Sequence, residues 1–292
     1  MRIVQLSDLH LSSKLPYTLT HLQLALEMVA DDSPDLVVIS GDITCLGDQG
    51  VDDYELARLH LADLSLPWLA IPGNHDVGAH PFAQTEQGFS LEALARFHQY
   101  IGPDRWTHDG GEIKLIGINS ELCGTDTAEE QEQLTWLQNE LTSAPVADSA
   151  ASPAESPEPG RREPGRREPG RTAGGVVVFM HSMCYISDVN EESSGFTLDP
   201  EPRKRLLGIF HDAPVRTVFN GHLHQDFAIT HKGLPLVSCP SIAFPTTSDC
   251  FPPEADNRPG YFLIHATADG VSYEKKLLPA ERLSPDMRPY HL

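Results

Sequence analysis

"LAIPGNHDVG", Leu69 to Gly78, is the stretch that decides how this chain folds. An apolar run stops at a Pro-Gly turn, and Asn74, His75 and Asp76 follow at once. A short apolar run bounded by turn residues reads as a strand buried on both faces. One set of polar, proton- or metal-competent side chains at such a strand end could be accident. The chain repeats the arrangement.

Similar runs are "RIVQLS" (Arg2 to Ser7), "DLVVIS" (Asp35 to Ser40), "IKLIGI" (Ile113 to Ile118), "GVVVFM" (Gly175 to Met180) and "RTVFN" (Arg216 to Asn220). Helical apolar spacing separates several of them, over Leu19 to Ala30, Val51 to Leu64 and Ala128 to Leu141. Strand–helix alternation of this kind predicts an α/β fold. Near the end, "GLPLVSCPS" and "GYFLIHATADGVSYEKKLL" read as further strands with an Asp-Gly turn, expected to complete a second sheet. From about 143 to 174 the composition shifts to Pro, Glu, Gly, Arg, Ser and Ala, with the repeat "EPGRREPGRREPGR" at Glu158 to Arg171. Nothing there can bury a face, so this segment is expected to be a disordered insertion in a single domain spanning 1–292.

The net charge is −21, which argues against broad electrostatic binding to nucleic acid or to an anionic membrane. No apolar run approaches the ~20 residues of a membrane span. The N-terminus begins as a strand rather than a signal peptide, which predicts a cytoplasmic protein. Cys45, Cys123, Cys184, Cys239 and Cys250 form no CxxC pair and are expected to be reduced, mostly buried thiols.

Each strand end delivers the same chemistry. After Ser7 come Asp8 and His10, after Ser40 comes Asp42, and after Met180 comes His181. After Asn220 come His222 and His224. Carboxyl ends of strands in an α/β sheet share one edge, where ligand sites form. Singly, each residue has a bland reading: a helix N-cap for Asp8 or Asp42, a turn for Asn74, a packed histidine for His181. Jointly they point to borderline divalent metals such as Mn, Fe, Zn or Ni, which favour imidazole and carboxylate ligands. Two ions sharing a carboxylate account for so many candidates. Gly41, Gly73 and Gly221 are expected to allow close approach beside these ligands.

The ordered set D-x-H, GD, GNHD, H and GHxH resembles the calcineurin-like metallophosphoesterase superfamily. The resemblance implies a four-layer αββα sandwich and a dinuclear centre. One metal would take Asp8, His10, Asp42 and His224, and the other Asp42, Asn74, His181 and His222, with Asp42 bridging. His75 would act as general acid beside a phosphate also contacted by Asn74, and Asp76 would orient His75 or cap the next element. The opening "RIVQLSDLHL" and the tail "CPSIAFP…RPGYFLI…DG" are similar to bacterial class III 3′,5′-cyclic nucleotide phosphodiesterases. That likeness implies two divalent ions, Mn2+ and/or Fe2+/Fe3+ with Zn2+ as the alternative. It implies cyclic AMP hydrolysed to the 5′-monophosphate by a metal-bridging hydroxide, and a homodimer. Other phosphodiesters, 2′,3′-cyclic nucleotides or phosphomonoesters remain the alternative substrates. The fourth motif departs from the usual His-His-Pro or His-Cys-Pro, having Ser182 and Met183 after His181. Ser/Thr protein phosphatases carry Arg before GNH, where this chain has Pro72.

Overall fold

The computed structural model describes residues 1–62, 64–78, 88–144, 174–192, 194–247, 257–287 and 290–291. In chain order come β1 (Arg2–Leu6), α1 (Tyr17–Asp32), β2 (Leu36–Ser40), α2 (Asp52–Leu61), β3 (Trp68–Ile71), α3 (Asn74–Val77) and α4 (Leu91–Tyr100). Then follow β4 (Trp106–Asp109), β5 (Lys114–Gly117), α5 (Ala128–Thr142), β6 (Val176–Phe179), α6 (Pro200–His211) and β7 (Val215–Asn220). The chain continues through β8 (Phe227–His231), β9 (Leu234–Ser238), β10 (Thr246–Thr247), β11 (Gly260–Thr267), β12 (Gly270–Leu277) and β13 (Tyr290–His291).

Two mixed sheets carry the fold, in strand orders β12-β11-β1-β2-β3 and β4-β5-β6-β7-β9-β8. β1, β2 and β3 run parallel, as do β5, β6, β7 and β9. Strand periodicity of two builds the layers. Ile3, Leu36, Val38 and Ile71 join Val177, Phe179, Phe219 and Val237 in one buried cluster between the sheets. The alternate residues Val4, Leu6, Val37 and Ile39 pack on Leu22, Ala25 and Val29 of α1, Tyr54 and Ala57 of α2, and Phe97 of α4. On the other side Ile116, Val176, Val178 and Val218 pack on Leu137 and Leu141 of α5 and Leu206, Leu207 and Phe210 of α6. The result is the expected four-layer αββα sandwich. Covering both faces of both sheets explains why the strands read as continuous apolar runs rather than as alternating ones.

The tail departs from the sequence reading. β9 does join the second sheet, but the β11–β12 hairpin joins the first, with Ile3 opposite Ile264 and Val4 opposite Leu263 in an antiparallel pair. The edge of β1 away from β2 is open to pairing, and Tyr261 and Leu263 extend the cluster under α1. Most of the proposed insertion, 145–173, lies outside the described residues. Among the described residues no helix is long and apolar enough to cross a membrane.

Candidate metal centre

The loops after β1, β2, β3, β6 and β7 converge. The first sheet brings Asp8, His10, Asp42 and Asn74, and the second brings His181, His222 and His224. The sequence-predicted ligands assemble into two groups, Asp8–His10–Asp42–His224 and Asp42–His181–His222, each with its ligand atoms within 4.8 Å of one another. Asp42 belongs to both. Asn74 joins the second group, its Oδ1 lying 3.2 Å from His181 Nε2. All but His222 are buried.

The backbone is bent to present these side chains. Asp8, His10, Asp42, His222 and His224 all have positive φ, between 44° and 69°. They are five of the eight non-glycine residues in that region among those described. Each such conformation costs about 1–3 kcal/mol and persists where surrounding bonds over-determine it. Here the loops brace one another: Asp8 N donates to Gly41 O at 3.0 Å and His10 N to Asp42 O at 2.9 Å. His222 N donates to the Asp8 carboxylate at 3.1 Å. All three predicted glycines are needed for approach, a Cβ on Gly221 meeting Ser7 Oγ, the Asp8 carboxylate and Ser40 O. A Cβ on Gly41, whose φ is +96°, would collide with the His181 ring, and one on Gly73 would collide with the Asp42 carboxylate and His181 Nε2.

The donor set fits cations. His181 Nδ1 donates to Ser40 O at 2.8 Å and His224 Nδ1 to Phe244 O at 2.9 Å. In the neutral form each ring therefore spends its one proton on a carbonyl and turns the Nε2 lone pair inward. His181 Nε2 then faces Asp42 Oδ2 at 3.3 Å, and His224 Nε2 faces Asp8 Oδ1 at 3.2 Å and His10 Nε2 at 3.1 Å. Lone pairs set against lone pairs in a buried site require positive charge between them. His10 Nδ1 is buried without a hydrogen-bond partner, so that ring contributes no compensating donor on its other side. Electrostatics give the same answer. Burial pushes Asp8 up, yet His224 and His181 outweigh it and hold the carboxyl at about 2. Burial pushes His181 down, yet Asp42 and Asp8 draw it up to about 10, so with no cation bound a second proton on its ring supplies the positive charge these carboxylates demand. Burial also lowers His10, and it lowers His222 to about 4, leaving both rings neutral and competent as ligands.

His75 sits at the mouth, half-buried, its ring edge-on to His10 at 4.8 Å between centroids. Its backbone N donates to Asp42 Oδ1 at 2.8 Å, and its Nδ1 donates to Cys45 O at 2.8 Å. Nε2 is left as the atom that can hold or release a proton. Burial lowers this imidazole, but Asp42 and the Cys45 carbonyl outweigh it and the net shift is upward.

Asp76 does not orient the His75 ring, which corrects that reading and leaves the capping role. Its carboxylate accepts from Ile43 N at 3.1 Å, Thr44 N at 2.9 Å, Thr44 Oγ1 at 2.7 Å and Gly73 N at 3.0 Å. These bonds consume the carboxylate in tying the β2 and β3 loops together. Asp76 thus fixes Asp42 and Asn74 relative to each other and leaves His75 to the Cys45 carbonyl.

The structure gives surroundings to the cluster that the sequence reading left without a role. Ser182 of the unusual fourth motif is turned inward, its Oγ donating to Glu121 Oε1 at 2.7 Å and its N bonding Ser120 Oγ at 2.9 Å. Glu121 is a buried carboxyl on the His181 side of the site, raised by burial. Phe244 supplies the His224 carbonyl and stacks on His10 at 5.0 Å between centroids. Cys45 lies within reach of His10 and His75, and burial pushes its thiol up to about 12.

Residues 1–226 match the calcineurin-like phosphoesterase family. Among curated relatives, the chain is 26% identical over 187 residues to serine/threonine-protein phosphatase CPPED1 of Bos taurus, covering 63% of this chain and 50% of the relative. It is 34% identical over 154 residues to the "probable cyclic nucleotide phosphodiesterase" of Moraxella catarrhalis, covering 48% of this chain and 52% of that one. The chain thus spans about half the length of the curated relatives it matches. Among solved structures, a dimetal phosphatase from Danio rerio superposes with a TM-score of 0.53 at 12% identity, covering 96% of both chains. At that identity the likeness shows a shared fold.

Proposed function

The chain belongs to the calcineurin-like phosphoesterase family, and from that premise we propose that it is a dinuclear-metal phosphodiesterase, with a 3′,5′-cyclic nucleotide such as cyclic AMP as substrate and the 5′-monophosphate as product. The observation that carries this reading is the convergence of Asp8, His10, Asp42, His181, His222 and His224 into two groups that share Asp42. Asp8, His10, Asp42 and His224 would hold one cation, and Asp42, Asn74, His181 and His222 the other. The nitrogen and oxygen donors suit Mn2+ or Fe2+/Fe3+, with Zn2+ as the alternative. When bound, two such ions supply Lewis acidity and a nucleophile at neutral pH. They also supply the local positive charge that an anionic substrate needs against a chain of net charge −21.

The chain's own residues do the rest. Asn74 lies on the second-sheet side of the cluster, where its amide can contact a phosphoryl oxygen. His75 Nε2 delivers a proton to the departing sugar oxygen, and its Nδ1–H on Cys45 O keeps the ring aimed. The buried Asp8 and Asp42 carboxylates stay ionised, the charge state in which they would hold cations.

The relative named a serine/threonine-protein phosphatase favours a second reading, phosphomonoester hydrolysis on the same centre. A substrate panel with Mn2+ present separates the two. Cyclic AMP and bis-p-nitrophenyl phosphate should be hydrolysed well and p-nitrophenyl phosphate poorly. Turnover of the monoester alone would overturn the phosphodiesterase reading.

A further inference from the structure

Arg203, in the first turn of α6, has no exposed surface; burial disfavours its charge, and the carboxylates of Glu191, Asp199 and Asp188 favour it. Desolvating an arginine is costly, and a buried one persists only when its donors are met. All five are. Nε donates to Leu198 O at 3.0 Å, and one terminal nitrogen to Val189 O at 2.9 Å and Glu191 O at 2.8 Å. The other donates to Leu198 O at 2.7 Å and Thr197 Oγ1 at 3.4 Å. Every acceptor belongs to one connection, the loop from β6 to α6 between 189 and 198. The planar fork clamps both ends of that stretch to one point.

The same stretch reaches the metal centre. Gly195 O accepts from His222 Nε2 at 3.2 Å, and the Phe196 ring lies 6.3 Å from the His222 ring, centroid to centroid. Two other histidines of the cluster are oriented by carbonyls closer to the sheets, Ser40 for His181 and Phe244 for His224. His222 alone is oriented by this long loop, whose shape depends on Arg203. Its tautomer is also the reverse of theirs: the Gly195 carbonyl calls for a proton on Nε2, which leaves Nδ1 as the lone-pair nitrogen of a ring 5.0 Å from His181, centroid to centroid.

We propose that Arg203 is a positioning residue for His222: by clamping the 189–198 segment it holds the Gly195 carbonyl on His222 Nε2–H and so keeps Nδ1 as the metal-facing atom. The proposal rests on the dinuclear reading above. An outer partner of a metal-bound histidine is worth on the order of 10–100-fold in metal affinity, and Arg203 acts one bond further out, so about tenfold is expected at one site only.

The test uses the full-length chain and three variants, Arg203→Lys, Arg203→Met and Gly195→Ala. Lysine keeps the charge but cannot span the Val189, Glu191 and Leu198 carbonyls together. Alanine at 195, where φ is +78°, displaces the carbonyl without touching Arg203. Two readouts are taken on folded protein. Long-range proton–nitrogen correlation spectra of the metal-free chain report the His222 tautomer, and Mn2+ titration reports stoichiometry and affinity. The wild type should show His222 protonated on Nε2 and bind two equivalents. All three variants should show mixed tautomers, keep one tight Mn2+ and bind the other about tenfold more weakly. A merely structural clamp would lower the melting temperature and leave both readouts unchanged, and that result overturns the proposal. If the Arg203 variants fail to fold, Gly195→Ala judges the bond through which Arg203 would act, and unchanged tautomer and affinity there overturn the proposal. A wild type that binds no metal sinks the dinuclear reading, while the metal-free tautomers still judge Arg203.

Discussion

His75 is held at two points, its backbone N on Asp42 Oδ1 and its Nδ1 on Cys45 O, and its Nε2 is bonded to neither. That geometry separates proton delivery from metal binding. We expect His75→Ala to lower turnover by roughly 10²–10⁴-fold, the span of a general acid, while metal content per chain stays at the wild-type value. Parallel assays of kcat and bound metal check this; equal loss of both would make His75 a ligand. The ligands themselves were legible because Asp, Asn and His stand directly after apolar runs in five places. Their orienting partners were not. Ser40, Cys45, Gly195 and Phe244 act through backbone carbonyls, which every residue possesses, so side-chain identity carries no signal. Asp76 was misjudged for a related reason. Its place beside His75 in sequence suggested a bond to the ring, but four donors from neighbouring loops claim the carboxylate.

At the scale of elements, the loop from β6 to α6 is built around two charged side chains, Arg203 at one end and Glu191 within it. The Glu191 carboxylate accepts from Ile186 N at 2.9 Å, Ser187 N at 2.9 Å and Asp188 N at 3.2 Å. Burial alone would raise this carboxyl, but those amide bonds outweigh it and lower it below its usual 4.5. A carboxyl depressed in the folded state stabilises above its unfolded value, and the contribution disappears as pH falls through the folded one. Glu191→Gln should therefore lower the melting temperature at pH 7, with the difference closing below pH 4.5. Melts of the metal-free chain from pH 7 to pH 3 would show it; a difference constant with pH would assign the effect to packing instead. Strands and helices with both faces or one stripe apolar were readable, within a residue or two for β2, β3 and α5. α4 and α6 were passed over although Ser90 caps one, its side chain bonding Ala93 N at 3.3 Å, and Pro200 opens the other. The placement of β11 and β12 was beyond reach, since periodicity marks a strand without naming the strand it pairs with.

For the molecule as a whole, the centre lies across the seam between the two sheets. Asp8, His10, Asp42 and Asn74 come from the first sheet and His181, His222 and His224 from the second. Bound cations would therefore cross-link the layers as well as neutralise two buried carboxylates within a strongly acidic chain. The α/β class was legible from doubly buried strands alternating with helices, while the four-layer arrangement was implied only by the resemblance that the ordered motifs carry. The measurement that tests the account most directly is anomalous scattering at the manganese edge from crystals of the Mn2+-loaded chain. Two peaks are predicted, one among Asp8, His10, Asp42 and His224 and one among Asp42, Asn74, His181 and His222. No peak there, or a single ion with Asp42 bound to nothing else, would contradict it.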